Sequence, residues 1–261
     1  MKGYGTCTLV FGHRNLLTQD RIKYLKDNGI EYIEISALQS LHFNIYNKEH
    51  IQNISKAVKK YNLKVWSIHA PFCPIAMLDE PSRIEGIKIM IKTYELRKYF
   101  NFNLIVMHPG SDDPKGNREK ELKNLKKSLK EIVNRTGRIK IALETMGDFP
   151  TSEKLLEVIE DFDREKVGVC IDTGHINQFE DVPSVIKKFK DRIFSVHIHD
   201  NNGKKDEHLL PFSGNIDWRR VYSALIYSGY TGVFMYEVCN PNLNVKENLK
   251  RMQFIYNKLQ K

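Results

Sequence analysis

Eight short runs of β-branched and apolar residues, spaced by longer amphipathic stretches, constrain this chain more than any other feature. The runs cover residues 5–10, 32–35, 64–69, 104–108, 139–144, 167–172, 193–197 and 233–238. Leu104-Ile105-Val106-Met107 is continuously apolar, the pattern of a parallel strand buried on both faces. The stretches between carry helix signals. Thr18 is placed to cap a helix bearing Ile22 and Leu25, which Gly29 would close. Pro81 opens a periodic segment predicted to reach Phe100, and residues 117–135 put Leu122, Leu125, Leu129, Ile132 and Val133 on one face. Thr151 starts a further helix, and residues 245–259 form the last. Alternating strand and helix mean parallel βαβ units with right-handed crossovers. Eight such units predict an α/β fold closed into a single (β/α)₈ barrel; an open doubly wound sheet is the alternative. A length of 261 residues suits one barrel. No Pro/Gly/Ser linker or low-complexity tract divides it, so residues 1–261 read as one domain.

Composition excludes several classes. Cys7, Cys73, Cys170 and Cys239 form no C-x-x-C pair and follow no signal peptide, which argues against a disulfide framework or a thiolate zinc knot. The N-terminus has no apolar segment followed by a cleavage site, so the chain is expected to be cytoplasmic. No apolar run is long enough to span a bilayer, and no membrane partner is expected. Lys and Arg number 41 against 32 Asp and Glu, a net charge of +9. That excess permits binding to phosphate or nucleic acid, but lysine-rich surfaces also serve solubility alone. The basic stretch 115–140 reads as a solvated helix face.

The chemistry sits where the runs end. His69 closes the third, His108 the fourth, Glu144 the fifth, Asp172 the sixth, His197 the seventh and Glu237 the eighth. His175 follows three residues after Asp172, and Asp206 and His208 lie in the loop after His197. In a barrel the C-terminal ends of all strands surround one mouth, so residues distant in sequence converge there. A lone strand-end histidine is usually structural, and a lone glutamate often makes a salt bridge. Six consecutive strands ending in costly ionisable groups need a shared explanation, and a divalent metal supplies it. His13, His42 and His50 lie outside the pattern and read as ordinary surface or loop residues. His199, two residues beyond His197, reads as a supporting residue rather than a direct ligand.

These residues resemble the xylose isomerase-like TIM barrel superfamily, which holds sugar isomerases and epimerases and the endonuclease IV class of AP endonuclease family 2. The fragments that carry the likeness are His69-Ala70-Pro71-Phe72, His108-Pro109-Gly110-Ser111, Asp172-Thr173-Gly174-His175, His197-Ile198-His199-Asp200 and Asp206-Glu207-His208. The resemblance implies up to three metal ions, zinc or manganese. One would take His69, His108 and a bridging Glu144; a second Glu144, Asp172, His197 and Glu237; a third His175, Asp206 and His208. The second set is also the metal tetrad of the sugar isomerase branch. The chain departs from the endonuclease pattern at its first strand, Gly3-Tyr4-Gly5-Thr6-Cys7-Thr8-Leu9, and after Glu144, where Thr145-Met146-Gly147-Asp148-Phe149 stands. The segment from His208 to Trp218 is similar to the isomerase branch.

Three functions follow as expectations. The first is a metal-dependent sugar or sugar-phosphate isomerase or epimerase, with Glu144 and Glu237 moving protons and His175 contacting a substrate hydroxyl. The second is a phosphodiester hydrolase acting on abasic DNA through a trinuclear zinc site, with Phe72 either stacking on a base or packing under its loop. The third is a non-catalytic binding barrel, against which both glutamates argue. A homo-oligomer is compatible with all three.

Overall fold

The computed structural model describes residues 1–110, 117–147, 149–239 and 244–261. Ser111, Lys115 and Asp148, each within a segment read above, lie outside them. Eight parallel strands form one sheet: β1 Gly3–Cys7, β2 Tyr32–Ser36, β3 Lys64–His69, β4 Leu104–Met107, β5 Lys140–Glu144, β6 Val167–Asp172, β7 Ile193–His197 and β8 Val233–Tyr236. Their order is β7-β6-β5-β4-β3-β2-β1-β8. The seam between β7 and β8 is joined just past the end of β7, where Ile198 bridges Tyr236 and its N–H donates to the Met235 carbonyl at 2.8 Å. The sheet therefore curls into a barrel rather than the open doubly wound alternative.

Helices fill the crossovers: α1 Gln19–Asp27, α2 Lys48–Lys60, α3 Glu80–Tyr94, α4 Arg118–Thr136, α5 Ser152–Ile159, α6 Thr173–Asn177, α7 Val182–Phe189, α8 Trp218–Tyr227 and α9 Val245–Leu259. Side-chain caps start them as the sequence predicts. Thr18 accepts from the Arg21 N–H, Thr151 from Lys154 and Asn117 from Lys120. The expected helix to Phe100 ends at Tyr94 and tightens into a 3₁₀ turn over Glu95–Lys98. The run 5–10 is also shorter as a strand than expected. The chain leaves the sheet after Cys7, and the Thr8 hydroxyl accepts the Ser36 N–H at 3.1 Å, so that donor is satisfied without further strand pairing. No helix among the described residues is long and apolar enough to cross a membrane.

Strand parity sends side chains to two places. On β4, Ile105 and Met107 join the layer between sheet and helices, while Leu104 and Val106 join the small cluster inside the barrel with Ala142, Cys170, Phe194 and Trp66. On β5 and β6, Ala142 and Cys170 point inward, so Glu144 and Asp172, two residues on, do as well. On β3 and β7 the parity is changed by register shifts. Ile33 pairs with Val65 but Glu34 pairs with Ser67, and Val169 pairs with Ile193 but Cys170 pairs with Ser195. The extra residues are Trp66 and Phe194. Because a one-residue slip exchanges the faces of a strand, these bulges turn Ser67, His69, Ser195 and His197 inward and leave Ile68 and Val196 to the helix layer.

Candidate metal centre

The inward parity and the strand-end positions gather the ionisable groups at the C-terminal mouth. His69 Nε2 lies 2.8 Å and His108 Nε2 3.3 Å from Glu144 Oε2, with the two rings perpendicular. His197 Nδ1 faces three carboxylates, Glu237 at 3.2 Å, Glu144 at 3.3 Å and Asp172 at 3.6 Å. The first two sets expected from the sequence are thus compact: His69, His108 and Glu144 each place a donor atom within 4.8 Å of the others, as do Glu144, Asp172, His197 and Glu237. The third set is looser. His175 Nε2 and His208 Nε2 both reach Asp206 Oδ2, at 3.3 and 2.9 Å, but the compact group at that end is His199, His208 and Glu237.

The donor set fits divalent cations. On His69, one ring nitrogen donates to the Ala70 carbonyl at 3.0 Å; on His197, to Glu34 Oε1 at 3.0 Å; on His208, to the Glu237 carbonyl at 2.7 Å. The other nitrogen of each points at carboxylates, the arrangement that fixes the tautomer of a metal-ligating histidine. The Nδ1 atoms of His175 and His199 are buried without a hydrogen-bond partner, and an ion in the mouth would supply one.

Charges in the mouth are mutually stabilised. Burial would raise Glu144, but His197 and His108 outweigh it and hold the carboxyl well below its usual range. Burial opposes ionisation of Asp172 too, and His175 and His199 reverse the effect. Glu237 is lowered in the same way, against burial, by His197. The histidines move upward: burial would lower His208, yet Asp206 and Glu237 raise it to about 9. His69 is likewise raised against burial by Glu144 and Glu34, and His197 by Cys170 and then by Glu237, Glu34 and Glu144.

The loops are built for this arrangement. Asp172 also caps α6 by accepting the His175 N–H at 2.7 Å. The Thr173 hydroxyl donates to the His199 carbonyl at 2.7 Å and accepts the His199 N–H at 3.1 Å, so the Asp-Thr-Gly-His fragment pins the His-Ile-His fragment. Asp200, fully buried, accepts from Trp218 Nε1 at 2.8 Å and from the Gly214 N–H at 3.0 Å, folding back the loop that carries Asp206 and His208. Phe72 is half-buried in the loop after His69.

Two residues escaped the sequence reading. Glu34, in the middle of β2, is fully buried, accepts from the Ser67 hydroxyl at 2.7 Å and orients His197. Its signal was available, since a carboxylate between Ile33 and Ile35 in a buried strand requires a partner. His42, read as a surface or loop residue, does lie in a turn after β2, but it is fully buried. Its Nδ1 donates to the Asn15 carbonyl and its Nε2 accepts from the Thr8 hydroxyl at 3.0 Å, and burial lowers its pKa to about 4. His13 is exposed, and His50 on α2 bonds the Leu17 carbonyl at 2.6 Å.

Comparison with known proteins agrees with this architecture. The chain is 28% identical over 266 residues to an uncharacterized protein of Methanocaldococcus jannaschii, covering 97% of this chain and 87% of that one. It is 30% identical over 201 residues to the probable endonuclease 4 of Staphylococcus carnosus, 69% of this chain and 66% of that protein. The crystal structure of a D-tagatose 3-epimerase-like protein superposes with a TM-score of 0.83 at 26% identity, covering 99% and 98% of the two chains. The sequence profile of the family described as Xylose isomerase-like TIM barrel matches residues 22–255, and the chain belongs to that family.

Proposed function

We propose that this protein is a divalent-metal-dependent isomerase or epimerase of sugars or sugar phosphates. The observation that carries the reading is the pair Glu144 and Glu237. Both are buried, both are held ionised, and they reach His197 Nδ1 from β5 and from the end of β8, well separated around the barrel. Glu144, Asp172, His197 and Glu237 would hold a zinc- or manganese-like ion. Bound there, such an ion supplies Lewis acidity that makes a C–H beside a sugar carbonyl more acidic.

The chain's own groups would move the proton. One glutamate takes it from carbon on one face of the substrate, and the other delivers a proton on the opposite face. A depressed pKa suits the glutamate that takes the proton; the other must first take one from solvent before it delivers it, and the proton removed returns to solvent from the first. His175, 14% exposed at the edge of the mouth, would contact a substrate hydroxyl. Asp172 and His197 would orient the ion, with Glu34 fixing His197 from behind. Likeness to a D-tagatose 3-epimerase-like protein supports the substrate class.

A second reading, hydrolysis of abasic-site DNA, has two observations in its favour. All nine residues of the trinuclear set lie in the same mouth, and a probable endonuclease 4 is among the relatives. The test offers the metal-loaded protein a panel of ketoses and ketose phosphates beside an abasic-site duplex. Interconversion of a ketose that Glu237→Gln abolishes would support the proposal. Strand nicking without sugar turnover would overturn it in favour of the hydrolase.

A further inference from the structure

His199 has no role in the reaction described above, yet its surroundings are built around it. The imidazole is fully buried. Nε2 lies 2.9 and 3.0 Å from the two oxygens of Asp172. A carboxylate accepts only, so Nε2 is the donor here, and Nδ1 is the ring nitrogen left to meet something else. That Nδ1 is buried with no hydrogen-bond partner, 3.7 Å from Asp206 Oδ1. A buried polar atom left bare is costly unless something fills the position.

The ring is also placed with care. It stacks on His208 with centroids 4.1 Å apart and planes 14° from parallel. Gly174 makes room for it: a Cβ at that position would lie 2.0 Å from His199 Cε1. One ring nitrogen of His199, one of His208 and one carboxylate oxygen of Glu237 fall within 4.8 Å of one another, and Asp206 Oδ2 lies 2.9 Å from His208 Nε2.

We propose that His199 is a direct ligand of an outer divalent cation, which it shares with His208 and the carboxylates of Asp206 and Glu237. Asp172 then serves both positions, as a ligand of the central ion and as the partner that sets the His199 tautomer. His175, which the third expected set used as a ligand, is released to face the substrate. The inference rests on the reading that the mouth holds divalent cations, and it adds which residues hold the second one.

The test is a titration of chelator-stripped protein with Co²⁺, following visible absorption and the bound metal per chain, for the wild type, His199→Asn and His199→Gln. The wild type is expected to bind a tight ion and a second, weaker one. Both variants should keep the first and weaken the second at least about tenfold. Equal second-site affinity in wild type and variants would overturn the proposal. One ion in the wild type would also overturn it while sparing the central site, and no ion at all would take the metal-dependent reading down with it. Should both variants fail to fold, cadmium NMR on the nitrogen-labelled wild type decides the matter. A cadmium coupling to a His199 ring nitrogen is the expected result, and its absence at full loading refutes the assignment.

Discussion

The two ends of the barrel are made from the same eight strands and have opposite chemistry. At the C-terminal mouth the inward side chains are His69, Glu144, Asp172, His197 and Glu237, each 4% exposed or less. At the N-terminal end they are Trp66 and Phe194, above a cavity of about 660 Å³ rimmed by Lys2, Lys140 and Lys190. Lys2 lies 5.1 Å from the Trp66 ring centroid and Lys140 lies 4.5 Å from that of Phe194. The aromatic end is packed as a core with cations over its rings. The mouth instead concentrates charge that must be neutralised internally or by an ion, which is costly for stability and useful for chemistry. The difference teaches that the bulges at Trp66 and Phe194 do two jobs at once. They plug the lower lumen with aromatic rings, and they shift the parity that turns His69 and His197 into the mouth.

The contrast is open to direct attack. The largest effect is expected at the mouth: Glu237→Gln should lower ketose turnover by about a thousandfold, within the range for lost acid–base catalysis, while the thermal midpoint stays within a few degrees. Retained turnover would remove Glu237 from the proposed role.

Next comes His42, a mouth-side histidine whose pKa burial lowers, where those of His69, His197 and His208 are raised. Its pKa falls from the usual 6.5 to about 4 in the folded chain, so the unfolded chain binds more protons between those values. Its contribution is therefore present above pH 6.5 and is lost as pH falls towards 4, on the order of 3 kcal/mol in all. Urea unfolding of the wild type and His42→Gln across that range should show the wild type losing its stability advantage on acidification. Parallel curves would contradict the assignment.

Glu34→Gln weakens the support behind His197 without emptying the space. Metal affinity should fall about ten- to a hundredfold, as for other partners of ligating histidines, measured by competition with a chelator. An unchanged affinity would mean that His197 is oriented by its packing alone. The smallest effect belongs to the other end: Trp66→Ala should cost about 2 kcal/mol in urea unfolding, less than a fully buried aromatic because Trp66 is only partly buried, and leave metal binding and turnover unchanged. A loss of metal affinity in that variant would show that the two ends are coupled through the β3 bulge.

Much of this was legible in the residues. Apolar runs and helix caps are local, so Lys64–His69, Val167–Asp172, Ile193–His197 and Val245–Leu259 were read with their observed bounds. A barrel brings strand ends together whatever the loops do, so the convergence of His69, His108, Glu144, Asp172, His197 and Glu237 followed from their positions. Glu34 was missed because a strand interior is not where a mouth is sought, and His42 because burial of a turn residue depends on what packs over it. The role of His199 lay beyond reach altogether. Its identity is written in the chain, but its bare Nδ1 exists because Asp172, Gly174, Asp206 and His208 arrive from other segments.

The sequence by itself therefore determined the barrel, the end of it that carries chemistry and the residue types gathered there, because periodicity and strand order are properties of the chain. The tertiary structure alone decided which face each strand turns inward past the bulges, which nitrogen of each histidine is free, and which donors are close enough to share an ion. Those depend on register and on distances of a few ångströms between segments far apart in the chain, and no local pattern encodes them.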